Sequence, residues 1–193
     1  MNETFVQNDS SVGSQVNVQK NLGPINIGNN KSRMSATFER LEKEILDNTT
    51  KEVIDELLMY NTKLNGTKDL EEKLQDGGFK KTFIQKATFQ KEMYAKKATR
   101  YECYPAAQKI ILDLFARIKN EFDIKIYPMI SLGVDVSTIM QEIHKQIVCP
   151  ILQMIEANGA SDKSLYFNMD HIYGMIYYLT GMCHLNWKDY DNV

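Results

Sequence analysis

The stretch Asp170-His-Ile-Tyr-Gly-Met-Ile-Tyr-Tyr-Leu-Thr-Gly-Met-Cys-His-Leu-Asn-Trp187 decides how the chain is read. Ile172, Met175, Ile176 and Leu179 fall at i, i+3, i+4 and i+7, so one helical stripe is apolar. Asn168 or Asp170 caps the start, because a short acceptor there satisfies backbone N–H groups left open in the first turn. Gly181 is the expected stop, since glycine enters the left-handed conformation without a Cβ penalty. The single tryptophan, Trp187, lies beyond the stop and is expected to fold back over the helix. Such a helix closes a helical core; it is not a catalytic motif.

Outward from it, helical spacing continues back to residue 35. Phe38, Leu41, Ile45 and Leu46 predict a helix over 35–47. Thr49 with Glu52 fits a capping box, so a second helix is predicted from there to about residue 60. A loop leads to a short helix over 69–75 that stops at Gly77 and Gly78. A long basic helix spans 80–103, and Pro105 kinks it or starts the next one, over 106–122. Another short helix is expected to end at Gly133. A helix capped by Asp135 or Ser137 follows as far as Pro150, with a further helical turn ending near Gly159. No strand pattern intrudes after residue 33. The class is all-α, a compact domain of seven to nine helices over 34–193, with a differently composed leader over 1–33.

In that leader Asn, Gln, Ser and Gly dominate, while Val12, Val16, Val18, Ile25 and Ile27 alternate with polar residues. It reads either as disordered or as two short strands joined by a turn. A lone ribbon is marginal in water, so ordered strands would need to pair with another chain, including a second copy of this one. Val16, Val18, Ile25 and Ile27 are the residues that would make that contact.

Composition excludes more than it assigns. A length of 193 residues, 43% hydrophobic and 25% charged, suits one ordinary globular domain with a tail. The net charge of −2 gives no global attraction to nucleic acid or membrane. No stretch approaches the roughly 18–20 apolar residues that cross a bilayer, and the N-terminus lacks a signal-peptide pattern. A cytoplasmic protein with reduced thiols is expected, since Cys103, Cys149 and Cys183 are odd in number and widely spaced. With His144, His171 and His184 they offer no zinc-ligand spacing, and no cofactor, metal or catalytic residue is expected. Lys80, Lys81, Lys86, Lys91, Lys96, Lys97 and Arg100 cluster on the basic helix, where they form a solvated face or lie along phosphates.

Several local patterns carry a resemblance: Leu41-Glu-Lys-Glu-Ile45, Leu70-Glu-Glu-Lys-Leu74, Ala95-Lys-Lys97, Lys125-Ile-Tyr-Pro128 and, above all, Gly174-Met-Ile-Tyr177 followed by Leu179-Thr-Gly181, Cys183-His184 and Trp187. With these, 38–187 resembles the C-terminal domains of effectors in bacterial ABC-three-component defence systems, the group that includes Lamassu. The resemblance implies a non-enzymatic docking subunit, with an SMC-like ABC ATPase and an effector chain as partners. Tyr173, Tyr177, Tyr178 and Trp187 are the candidate aromatic anchors, because such rings suit interfaces, and the tyrosines read equally well as ordinary half-buried core residues. The alternative is a helical nucleic-acid-binding protein that uses the lysine-rich helix.

Overall fold

A computed structural model describes residues 31–64, 66 and 68–189. The predicted leader pairing, with Val16, Val18, Ile25 and Ile27, lies outside them. Among the described residues the fold is all-α, as expected, without a strand. Its helices are α1 (Arg33–Leu46), α2 (Asp55–Asn61), α3 (Leu70–Asp76), α4 (Lys81–Tyr101), α5 (Pro105–Glu121), α6 (Tyr127–Ser131), α7 (Val136–Ile143), α8 (Cys149–Asn158) and α9 (Met169–Gly181). No described helix is long and apolar enough to cross a membrane.

Two π-helical segments, Phe122–Ile126 and His144–Val148, join α5 to α6 and α7 to α8 without a break. The nine α-helices among the described residues therefore form seven continuous rods. Each wide turn ends two residues before a proline, at Tyr127-Pro128 and Cys149-Pro150. Proline cannot supply the i→i−4 N–H bond, and its ring crowds the carbonyl one turn back. The extra residue in a π-turn relieves both problems. Tyr127 N–H donates to the Phe122 carbonyl and Cys149 N–H to the His144 carbonyl, each five residues back. The expected interruption at Pro150 is thus a bulge inside a rod. Pro105, by contrast, starts α5 in its first turn.

The apolar stripe of α9 is the centre of the core. Ile172, Met175, Ile176 and Leu179 are fully buried, mainly against α4, while α1 packs Phe38 and Leu41 with α5. Trp187 folds back as predicted. Its Nε1 donates to Thr180 Oγ1 at 2.9 Å, and its ring meets Phe79 and Phe122 edge-on at 5.0 and 5.3 Å. The stop itself differs from expectation. Gly181 remains helical, and the left-handed conformation falls two residues later on Cys183, φ 65°.

The second helix also differs. It starts at Asp55, with Ile54 at the N-cap and no side-chain cap, so Thr49 and Glu52 form no capping box. Tertiary partners hold the preceding segment away from helix instead. Lys51 N–H donates to the Cys103 carbonyl at 2.8 Å, and the buried Gln108 amide bonds Ile54 N–H and the Glu52 carbonyl. These bonds outweigh a local capping preference of about 1 kcal/mol.

Candidate functional site

Gly78, at φ +81°, turns the chain after α3 so that Phe79 is buried and α4 can begin at Lys81. Asp135 caps α7 by accepting from Thr138 N–H at 3.0 Å. Between these two helix starts, closed at the back by Tyr173 of α9, lies a groove of about 670 Å³. Phe79, Phe83, Val136 and Met140 give it an apolar wall, and Lys80 and Thr82 form one lip. The wall is backed by a row of rings: Phe79 to Phe83 at 4.6 Å, Phe83 to Tyr177 at 6.2 Å, Tyr177 to Tyr173 at 6.3 Å and Tyr173 to His144 at 6.4 Å. Interlocked rings of this kind resist rearrangement, so the groove is a preformed feature.

At its inner end stands a group that spacing alone did not suggest. Residues five apart point about 140° away from each other on an ordinary α-helix. The π-turn brings them onto one face, and Cys149 Sγ lies 3.3 Å from His144 Nε2. The other ring nitrogen of His144 is 3.1 Å from the Tyr173 hydroxyl. Burial, and secondarily the neighbouring thiol, raise the Tyr173 phenol above its ordinary range. Thiol, imidazole and phenol thus stand in a row, with one ring nitrogen of His144 against Cys149 Sγ and the other against the Tyr173 hydroxyl, an arrangement in which an imidazole can assist a thiol nucleophile. Iodoacetamide is therefore expected to label Cys149 several-fold faster than Cys103 or Cys183, which are also half-buried and have no imidazole partner among the described residues. His144→Ala should remove the difference. Peptide mass mapping of the three rates checks it, and equal rates in the wild type would refute it.

The aromatic anchors separate into two kinds. Tyr177 and Trp187 are buried at 1% and 3% exposure, so as the chain stands they are core and not surface anchors. Burial holds the Tyr177 phenol far above its ordinary range. Tyr173 and Tyr178 are half-buried. Tyr173 faces the groove, whereas Tyr178 stacks on Phe115 at 5.8 Å and donates to Asn61 Oδ1 at 3.2 Å.

The basic cluster is likewise divided. Lys80, Lys81, Lys86, Lys96 and Arg100 are exposed, and Lys91 is half-buried. Lys97 turns inward, donating to the Leu165 carbonyl and lying 5.9 Å from the Phe167 ring centroid. Desolvation lowers its ammonium below the usual lysine range, partly offset by Asp162. Lys97 thus ties α4 to the loop before α9, and it is absent from the face available to phosphates. Phe89, 64% exposed, interrupts that face with an apolar ring.

Residues 69–187 match the family model described as C-terminal domain 9 of the ABC-three component systems. The matched span runs from the N-cap of α3 to Trp187 and contains every groove residue. No curated protein and no solved structure matches the chain.

Proposed function

The chain belongs to the C-terminal domain 9 family of the ABC-three component systems, and from that premise we propose that it is a non-enzymatic interaction subunit of an antiphage defence assembly. In this reading it docks or restrains an effector on an SMC-like ABC ATPase. Family membership is the observation that carries the proposal. The physical character of the domain supports it. Its helical rods are locked by a continuous buried core, and a preformed apolar groove opens on that rigid body. Preorganisation lowers the entropic cost of association, which is what a docking module requires. The expected test result is that the tagged full chain, co-expressed with the other proteins of its defence system, retains the ATPase or the effector through gel filtration. A chain that elutes free of both at micromolar concentration overturns the reading.

A further inference from the structure

We propose that the groove between α4 and α7 seats an acidic, apolar segment of a partner chain: its apolar side chains fill the groove and its carboxylate meets the α4 N-terminus beside Lys80 and Lys81. This rests on the docking reading above and names the chemistry of what docks.

Shape and charge point to the same occupant. The wall formed by Phe79, Phe83, Val136 and Met140 favours apolar side chains through area removed from water. The lip is of the opposite character. Lys80 on the lip and Lys81, its chain neighbour outside the groove lining, are exposed, and neither makes an ion pair among the described residues. α4 begins there with no side-chain cap and no acidic residue in its first turn. A helix start leaves N–H groups open and carries partial positive charge, so the two lysines and the helix end add in sign.

The fold already contains one such arrangement. α5 also lacks a cap of its own, and its Ala106 N–H donates to Glu44 Oε2 of α1 at 2.7 Å. There a carboxylate from a distant segment meets an uncapped helix start beside buried apolar contacts. At α4 the apolar surface and the open helix start are present, and no described residue supplies the carboxylate. A lysine-rich segment or a phosphate backbone fits less well, because the first repels the lip and the second cannot use the apolar wall.

The experiment uses the full-length chain and overlapping synthetic peptides tiled across the other proteins of the same system. Binding peptides are expected to carry Asp or Glu next to large apolar residues. Met140→Lys, at the half-buried wall, and Thr82→Glu, which sets a like charge against the partner's carboxylate at the exposed lip, should each weaken binding and assembly about tenfold or more. Lys80→Glu with Lys81→Glu should weaken binding and remove its salt dependence. Circular dichroism establishes that each variant is folded. If the wild type assembles with the system and both groove variants assemble equally well, the groove inference fails while the docking reading stands. If no protein of the system associates with the wild type, the docking reading itself fails. Self-association of the chain that Met140→Lys abolishes would assign the groove to a second copy and overturn the proposal.

Discussion

Gly174→Ala is expected to cost about 3 kcal/mol of stability and to lower Tm by roughly 6–12 °C. Gly174 sits in the middle of α9, where α9 crosses α4. A Cβ at this position would lie 2.3 Å from the Gln90 carbonyl oxygen and 2.7 Å from Tyr94 Cβ. The first neighbour belongs to the α4 backbone and the second is anchored directly to it, so no rotamer change relieves the clash. The helices must move apart. That movement loosens Tyr94, 2% exposed, and lengthens the 2.8 Å bond from Gln90 Nε2 to Asp170 Oδ1. Gly181→Ala serves as the control. At the end of the same helix an added methyl meets nothing closer than 3.7 Å, and alanine is the better helix former by about 1 kcal/mol. Thermal and urea unfolding of the two variants should therefore move in opposite directions, or at least differ by several degrees. A Gly174→Ala protein that melts with the wild type would show that the α4–α9 contact is looser than described.

The same contact explains why much of this fold was legible in the sequence and why some of it was not. Three helix starts could be read because both partners of each cap lie within one turn, whereas the equally local Thr49 and Glu52 pair was overridden by tertiary bonds. Asp69 and Glu72 form a reciprocal capping box, Asn168 accepts from His171 N–H, and Asp135 accepts from Thr138 N–H. The apolar stripe of α9 was equally readable, because periodicity is a local property. Features that depend on a partner far along the chain left no local mark. Glu44 serves Ala106 from 62 residues away, and Lys97 reaches the Leu165 carbonyl across 68. In the sequence Lys97 is one cation among seven, and only the fold removes it from the basic face.

The groove and the thiol–imidazole pair were hidden for a related reason. His144 and Cys149 are five apart, a spacing that means separation on an α-helix and contact on a π-turn. The signal that could have disclosed them is Pro150, since a proline within a strongly helical pattern must be accommodated by an end or a bulge. The groove is assembled from α4, α7 and α9, whose approach is set by packing and not by any one helix's own pattern. Tyr177 and Trp187 show the limit from the other side. Aromatic residues near a chain end suggest anchors, yet these two sit in the core with their polar atoms excluded from bulk water.

Gln108→Glu is the second substitution expected to have a large effect, a loss of about 3–4 kcal/mol near neutral pH. Gln108 is fully buried, and its amide is used at both ends. Oε1 accepts from Ile54 N–H at 3.0 Å, while Nε2 donates to the Glu52 carbonyl at 3.1 Å and the Glu102 carbonyl at 2.6 Å. The replacement has the same shape. Its ionised form has no donor, however, so it sets an oxygen against two carbonyl oxygens. Desolvation and those carbonyls both favour the protonated acid, raising its folded pKa above the unfolded value of about 4.3.

Below about pH 4 the acid is protonated in both states, donates one hydrogen bond, and much of the deficit relative to wild type disappears. As pH rises through the folded value the deficit grows to its full size. Gln108→Leu loses the same backbone partners without a titrating group, so its deficit should stay level across the range. Urea midpoints of both variants and the wild type between about pH 4 and 8 measure the difference. A level deficit for Gln108→Glu would mean that water reaches the site. No deficit in either variant would mean that the segment before α2 is held by something other than this amide. Limited proteolysis gives an independent readout, because the bonds lost are those that pin residues 52–54 to α5. Cleavage there should precede global unfolding in both variants and not in the wild type.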